Sequence, residues 1–228
     1  LELMALCNQV ARVLVEDMQL KPGNRVLLRG PNNVMMAATW LAAVKAGLVT
    51  VPTMPLLRAA ELKKIIDKAK VQAVLCDHRL SEEVMYCMDP SHPGYSPDLK
   101  QVRYFHDDGP DSLDTVAKSK PADFDACDTA VDDVCLIAFT SGTTGKPKGC
   151  QLTHRNLIAN ARQITEWMNF GENDRLLTIM PLFHTGGLNV FTAPLVQCGG
   201  TSIVCKTFNV DQVFDLVAGG DVTVFFGV

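Results

Sequence analysis

The sequence predicts an α/β fold, with doubly wound, mostly parallel sheets flanked by helices. Short apolar runs alternate with helical stretches as β-α-β-α-β-α-β, the connections are short, and the rhythm resumes after one acidic interruption.

Residues 2 to 18 place Leu3, Leu6, Val10, Val13 and Leu14 on one face of a first helix. "KPGN" breaks that helix, and "RVLLRG" reads as a buried strand. Asn32 and Asn33 can cap a second helix, "VMMAATWLAAVKAG", which ends at Gly47. "LVTVPTMP" is a strand closed by prolines, "RAAELKKIIDKAK" an amphipathic helix and "VQAVLCD" the next strand. A short helix "SEEVMYCM" and a strand "QVRYFH" follow. Residues 106–131, acidic and containing Pro and Gly, read as a long surface connection. Beyond it come strand 134–139, a glycine loop, helix 154–168, strand 175–180 and an apolar segment 188–197. Strand 201–205, helix 210–218 and strand 222–226 complete the order. The expected division is a first α/β subdomain (1–106), an acidic connection (107–131) and a second α/β segment (132–228) that stops incomplete at its C-terminus.

A chain of 228 residues, 47% hydrophobic and 20% charged, has the composition of an ordinary globular protein. A net charge of -4 argues against broad nucleic-acid binding, leaving only local basic sites. Eight cysteines without a C-x-x-C pair or a zinc-like Cys/His spacing read as buried free thiols in a reducing compartment. No signal peptide is visible and the apolar runs are too short or interrupted to span a bilayer, so a cytoplasmic setting is expected. The first residue is Leu1 and the last segment, "VTVFFGV", is an apolar strand, which together suggest a fragment.

The glycine loop carries the functional signal. Strand "VCLIAF" delivers the chain to "TSGTTGKPKG", with a helix expected after "CQLTH". Gly142, Gly145 and Gly149 let the backbone turn and approach a ligand. Thr140, Ser141, Thr143 and Thr144 offer hydroxyls, successive N–H groups can form an anion nest, and Lys146 and Lys148 supply positive charge. A polyphosphate needs this mixture. The competing reading is a solvated turn, since the same residue types are common turn formers. The loop is not a Walker motif: two residues separate Gly142 from Gly145, and Pro147 follows Lys146.

"TSGTTGKPKG" resembles the signature loop of the adenylate-forming superfamily of acyl-CoA synthetases, luciferases and peptide-synthetase adenylation domains. "LKPGNRVLLRGPNN", "LAAVKAGLVTVPTMPLLRAAEL" and "DDVCLIAFTSGTTGKPKG" look like aryl- and aminobenzoate-CoA ligases. "LTHRNLIANA", "MPLFHTGGL" and "GGTSIV" are more similar to fatty-acyl-CoA synthetases. The resemblance implies part of a large N-terminal domain, ATP with Mg2+ and coenzyme A as cofactors, and a carboxylic acid as substrate. The acid would be activated as an acyl-adenylate and then passed to the thiol of coenzyme A. By the same resemblance, Thr140, Ser141, Gly142, Thr143, Thr144, Gly145, Lys146 and Lys148 would form the phosphate-binding segment, with Thr144 also near the magnesium. His184 of "PLFHTGG" would border the acyl pocket and the adenylate. Without that resemblance, a histidine packed at a helix start after Pro181 is the stronger account. Gly186 and Gly187 would leave room for a ligand, and "LNVFTAPLV" would line an acyl tunnel or serve the core.

Other candidates read as structural. Trp40, Met35 and Met36 fit a core-facing helix, and His154 and Arg155 suit capping and solvent contact. His78, His92 and His106 have no identifiable partners. Asp107, Asp108, Asp111 and Asp114 read as a solvated connection rather than a metal site. The family's downstream adenine motif, ribose aspartate, hinge and lysine-bearing C-terminal domain have no match in residues 150–228. The fragment alone is therefore expected to be inactive. A carrier-protein-loading adenylation domain and a non-catalytic nucleotide- or acyl-binding domain stand as alternatives, and a homodimer is left open.

Overall fold

A computed structural model describes residues 2–140 and 147–226. The first helix, α1 (Glu2–Arg12), runs into a π-helical turn, Val13–Asp17. The alternation of strands and helices then runs as β1 (Arg25–Arg29), α2 (Val34–Lys45), β2 (Val49–Thr53), α3 (Ala59–Ala69), β3 (Val71–Asp77), α4 (Ser81–Met88) and β4 (Gln101–Phe105). After α5 (Leu113–Lys118) come β5 (Val134–Thr140), β6 (Lys148–Thr153), α6 (His154–Met168) and β7 (Arg175–Thr178). A π-helical turn (Gly186–Thr192), α7 (Ala193–Cys198), β8 (Thr201–Val204), α8 (Val210–Ala218) and β9 (Val224–Phe225) follow.

The strands form two sheets. The larger has the order β4-β3-β1-β2-β5-β6, the smaller β8-β7-β9. Among the described residues every pairing is parallel except β5 with β6. The expected fold class is the observed one. β5 lies beside β2 in the first sheet, so the segment after the acidic connection contributes to both sheets.

Period-two alternation explains the continuous apolar runs. In β1, Val26 and Leu28 enter the core shared with α1 and α2, while Leu27 enters the core shared with α3 and α4. β3 repeats the division, with Ala73 and Leu75 on one side and Val74 and Cys76 on the other. Each such leucine, fully buried, contributes roughly 2 kcal/mol of transfer free energy. The smaller sheet divides likewise at Leu176 and Leu177.

Several local expectations change. Asn33 alone caps α2, accepting the Met36 N–H at 2.7 Å. Asn32 turns away and bonds to residues 180 and 182 instead. Thr153, not His154, is the N-cap of α6, in a reciprocal pairing with Asn156. Arg155 forms a two-pronged ion pair with Asp132. The acidic connection contains α5, whose Leu113 and Ala117 are buried in the first core, because its hydrophobic positions are too few to show a period in sequence. Pro52 lies inside β2, opposite Leu28, rather than at its end. It offers no N–H to a ladder, and the β2–β5 pairing is confined to Thr50 opposite Leu136.

Candidate functional site

The strands on either side of the glycine loop pair as an antiparallel hairpin. After Thr140 the chain returns as β6, antiparallel to β5, so the strand-to-helix loop expected from the sequence is interrupted by a full strand. Lys148–Thr153 shows no apolar alternation, and four of its six residues are exposed, which hides a strand from periodicity. Thr140 and Lys148 are exposed and sit opposite each other at the mouth of the hairpin. They fix the ends of the loop. Lys68 of α3 donates to the Pro147 carbonyl at 2.7 Å and ties the loop base to the helix. Ser141, Gly142, Thr143, Thr144, Gly145 and Lys146 lie outside the described residues. Gly149 serves packing rather than a turn: a Cβ there would lie 2.9 Å from Ile137 Cγ2 and 3.2 Å from Phe139 Cζ.

His184 approaches Thr140 from the other sheet. Because β2 and β5 pair only at one position, the space beyond it opens into two cavities. One, of about 360 Å3, is lined by Pro52, Lys64, Phe139, Thr140, Phe183 and His184 among others. The other, of about 100 Å3, shares Pro52, Phe139, Thr140, Phe183 and His184 and adds Leu188 and Asn189. The structure thus brings together Thr140 and His184, which the sequence separates by an entire strand–helix–strand unit.

The His184 loop is held by its own backbone. His184 N–H donates to the Pro181 carbonyl at 3.0 Å, and Nδ1 accepts from the Gly186 N–H at 3.1 Å. An accepting Nδ1 leaves Nε2 to carry the proton of the neutral ring, available as a donor. Gly187 does not leave room for a ligand, and Gly186 sits close to its neighbours. A Cβ at Gly187 would lie 2.3 Å from the Pro181 carbonyl oxygen, and one at Gly186 3.3 Å from Met180 Cε. The space beside Gly187 is occupied by the Pro181 backbone. Of "LNVFTAPLV", Leu188 and Asn189 line the small cavity, while Phe191 and Leu195 pack with Leu176 in a core of the smaller sheet.

A further cleft, of about 620 Å3, was not legible in the sequence. It lies past the carboxyl ends of β1, β3 and β4 and is lined by Asn32, Asn33, Met35, Arg79, His106 and Lys206 among others. In strand order this is where the chain reverses direction across the sheet, the usual ligand position in open α/β folds. Asp77, fully buried at the end of β3, accepts from Arg79 Nη2 at 2.6 Å and pairs with His106 Nδ1 at 2.7 Å. Burial alone would raise the Asp77 carboxyl, but hydrogen bonds from Arg79 and His106 outweigh it and hold the group below its ordinary range. Distant pairing of residues 77, 79 and 106 leaves no sequence spacing to read. His92 and His78 also have partners: His92 stacks on Tyr86 at 4.3 Å, and His78 meets the edge of Tyr104. Asp107 and Asp114 accept backbone N–H groups of Gly109 and His106. Among the described residues no helix is long and apolar enough to cross a membrane.

Known proteins resemble this chain in sequence and fold. Over 227 residues the chain is 32% identical to a feruloyl-CoA synthase of an Amycolatopsis species, covering 98% of the chain and 42% of that protein. It is 30% identical over 219 residues to the long-chain-fatty-acid–CoA ligase FadD13 of Mycobacterium tuberculosis, covering 95% of the chain and 41% of that ligase. The chain therefore spans about two-fifths of the length of these relatives. Crystal structures of MatB from Rhodopseudomonas palustris, one apo and one ATP-bound, superpose on the chain with a TM-score of 0.88 at 30% and 31% identity. They match 100% and 99% of the chain, and 43% of MatB in each case. The family described as AMP-binding enzyme matches residues 1–228, and the chain belongs to that family.

Proposed function

We propose that the full-length protein activates a carboxylic acid with Mg·ATP, releasing pyrophosphate, and transfers the acyl group of the adenylate to coenzyme A with release of AMP. The observation that carries this reading is the meeting of Thr140, at the hairpin mouth, with His184 at one pair of cavities, Lys148 lying opposite Thr140 in the ladder. The loop from Thr140 to Lys148, including Ser141, Gly142, Thr143, Thr144, Gly145 and Lys146, would hold the leaving phosphates, with Thr144 beside the magnesium of Mg·ATP. Positioning and charge neutralisation are what adenylation asks of the protein. His184, with a free Nε2–H, would donate to the acid or the adenylate at the cavity wall. The cleft lined by Arg79, Asn32 and Lys206 offers donors that suit the phosphate-bearing second substrate, coenzyme A.

The relatives include proteins named for feruloyl and for long-chain fatty acids, so the acid is proposed only as aromatic or aliphatic. Acid-dependent ATP–pyrophosphate exchange by the full-length protein, scanned over a panel of both kinds, tests the reading. No exchange with any acid would overturn it. His184→Ala should lower the exchange by about 100-fold, the order seen on removing one stabilising donor. Residues 1–228 alone, spanning about two-fifths of the relatives, should exchange little or none, and robust exchange would refute that part. Transfer to a phosphopantetheinyl carrier protein in place of coenzyme A would redirect the second half-reaction only.

A further inference from the structure

Asn32 is a polar residue at the end of β1, only 6% exposed, and it caps no helix. Its Nδ2 donates to the Met180 carbonyl at 2.9 Å, and its Oδ1 accepts from the Leu182 N–H at 2.7 Å. The two bonds fall on either side of Pro181, which has no N–H of its own. One amide thus satisfies the backbone flanking that proline. The Pro181 carbonyl in turn accepts the His184 N–H and fills the space beside Gly187, while His184 Nδ1 is held by Gly186. An unbroken series of short contacts therefore runs from Asn32 through residues 180–182 to the imidazole. Among side chains of this size only asparagine sets a donor and an acceptor side by side.

We propose that Asn32 is a positioning residue for His184, acting through the Met180–Leu182 backbone to hold the imidazole against the cavity it shares with Thr140. The inference rests on the adenylation reading for its consequence in rate, but its geometric content is independent of that reading.

Asn32→Asp keeps the acceptor for Leu182 and loses the donor to Met180, at nearly unchanged volume. In the full-length protein it should lower kcat/KM for the acid in ATP–pyrophosphate exchange by about 10- to 100-fold, the scale of a small misplacement of a catalytic group. KM for Mg·ATP should stay within about twofold. In a His184→Ala background the same change should cost less than about twofold, because coupled residues are not additive. Equal costs in both backgrounds, or no cost in either, would overturn the proposal. Should Asn32→Asp not fold, Asn32→Ser is carried through the same cycle; failure of both to fold would make Asn32 a general element of the domain and also overturn it. A second readout needs no activity. With 15N-labelled histidine, Asn32→Asp should move the His184 ring signals while those of His78, His92 and His154 stay in place; an unmoved His184 refutes the positioning role even if no acid supports exchange. Exchange absent in the wild type, with His184 moved, would refute the adenylation reading alone.

Discussion

Among individual residues, environment separates side chains that composition cannot. All eight cysteines are free thiols, but the expected burial holds for only five: Cys127 and Cys198 are half-buried and Cys150 is exposed. Burial pushes Cys7, Cys87 and Cys135 up to about 11 and Cys76 up to about 12, which removes their thiolate at neutral pH. Cys150, on β6, is exposed. Ellman's reagent on the native chain should therefore show one fastest thiol, lost in Cys150→Ser, half-buried Cys127 and Cys198 reacting more slowly and the five buried ones only on unfolding. Equal rates for Cys150 and the buried group would refute this. Thr140 and His184, singled out by their motifs, do line shared cavities, and Lys148 stands opposite Thr140 in the ladder. Gly186 and Gly187 were legible as positions but not in purpose, since a missing side chain does not say which atom fills its space. Asn32 was legible only as a capping residue: the partner it takes is a backbone far along the chain.

Among the helices and strands, helix ends were the easiest to read and the hairpin the hardest. Gly47 closes α2 with φ of +73°, and an added Cβ would lie 2.8 Å from Cys127 Sγ. Gly23 has φ of +82° but open space around the same position. Gly23→Ala should cost about 1 kcal/mol from conformation alone, and Gly47→Ala a further 1–3 kcal/mol or so from overpacking. Urea unfolding of the two variants measures the difference; equal costs would mean that Cys127 yields freely. Pattern reading succeeds at Gly47 because a glycine after a periodic run has one common meaning. It fails at β6, whose Lys148, Gly149, Cys150 and Gln151 are exposed and carry no alternating signal.

Across the whole molecule, two apolar cores on opposite faces of the larger sheet account for the stability, and charge governs its pH dependence. Burial works against the Asp77 carboxylate, yet Arg79 and His106 hold it below its ordinary range; the ion pair with Arg155 does the same for Asp132. A depressed folded pKa contributes stability above the unfolded value, near pH 4, which is lost as pH falls through the folded one. The melting temperature should therefore drop as pH is lowered from about 4 towards 2. Asp77→Asn should flatten that drop while costing roughly 2 kcal/mol at neutral pH through its lost charge-assisted bonds. An unchanged acid slope in the variant would show that Asp77 is not a main contributor. The fold class was legible because strands and helices alternate. Strand order was not: nothing local says that β5 lies beside β2 or that the chain next reverses into β6.

The amide link between Asn32 and residues 180–182 also bears on the order in which the chain assembles. It joins positions 148 and 150 apart, a far longer span than any hairpin or β-α-β unit here closes. Closing a longer loop costs more entropy, and contacts so distant form after the local ones that bring them near. The two sheets can acquire their backbone hydrogen bonds while the His184 loop is still unregistered. Recovery of circular dichroism and recovery of a competent site would then run on separate clocks, with the site the slower.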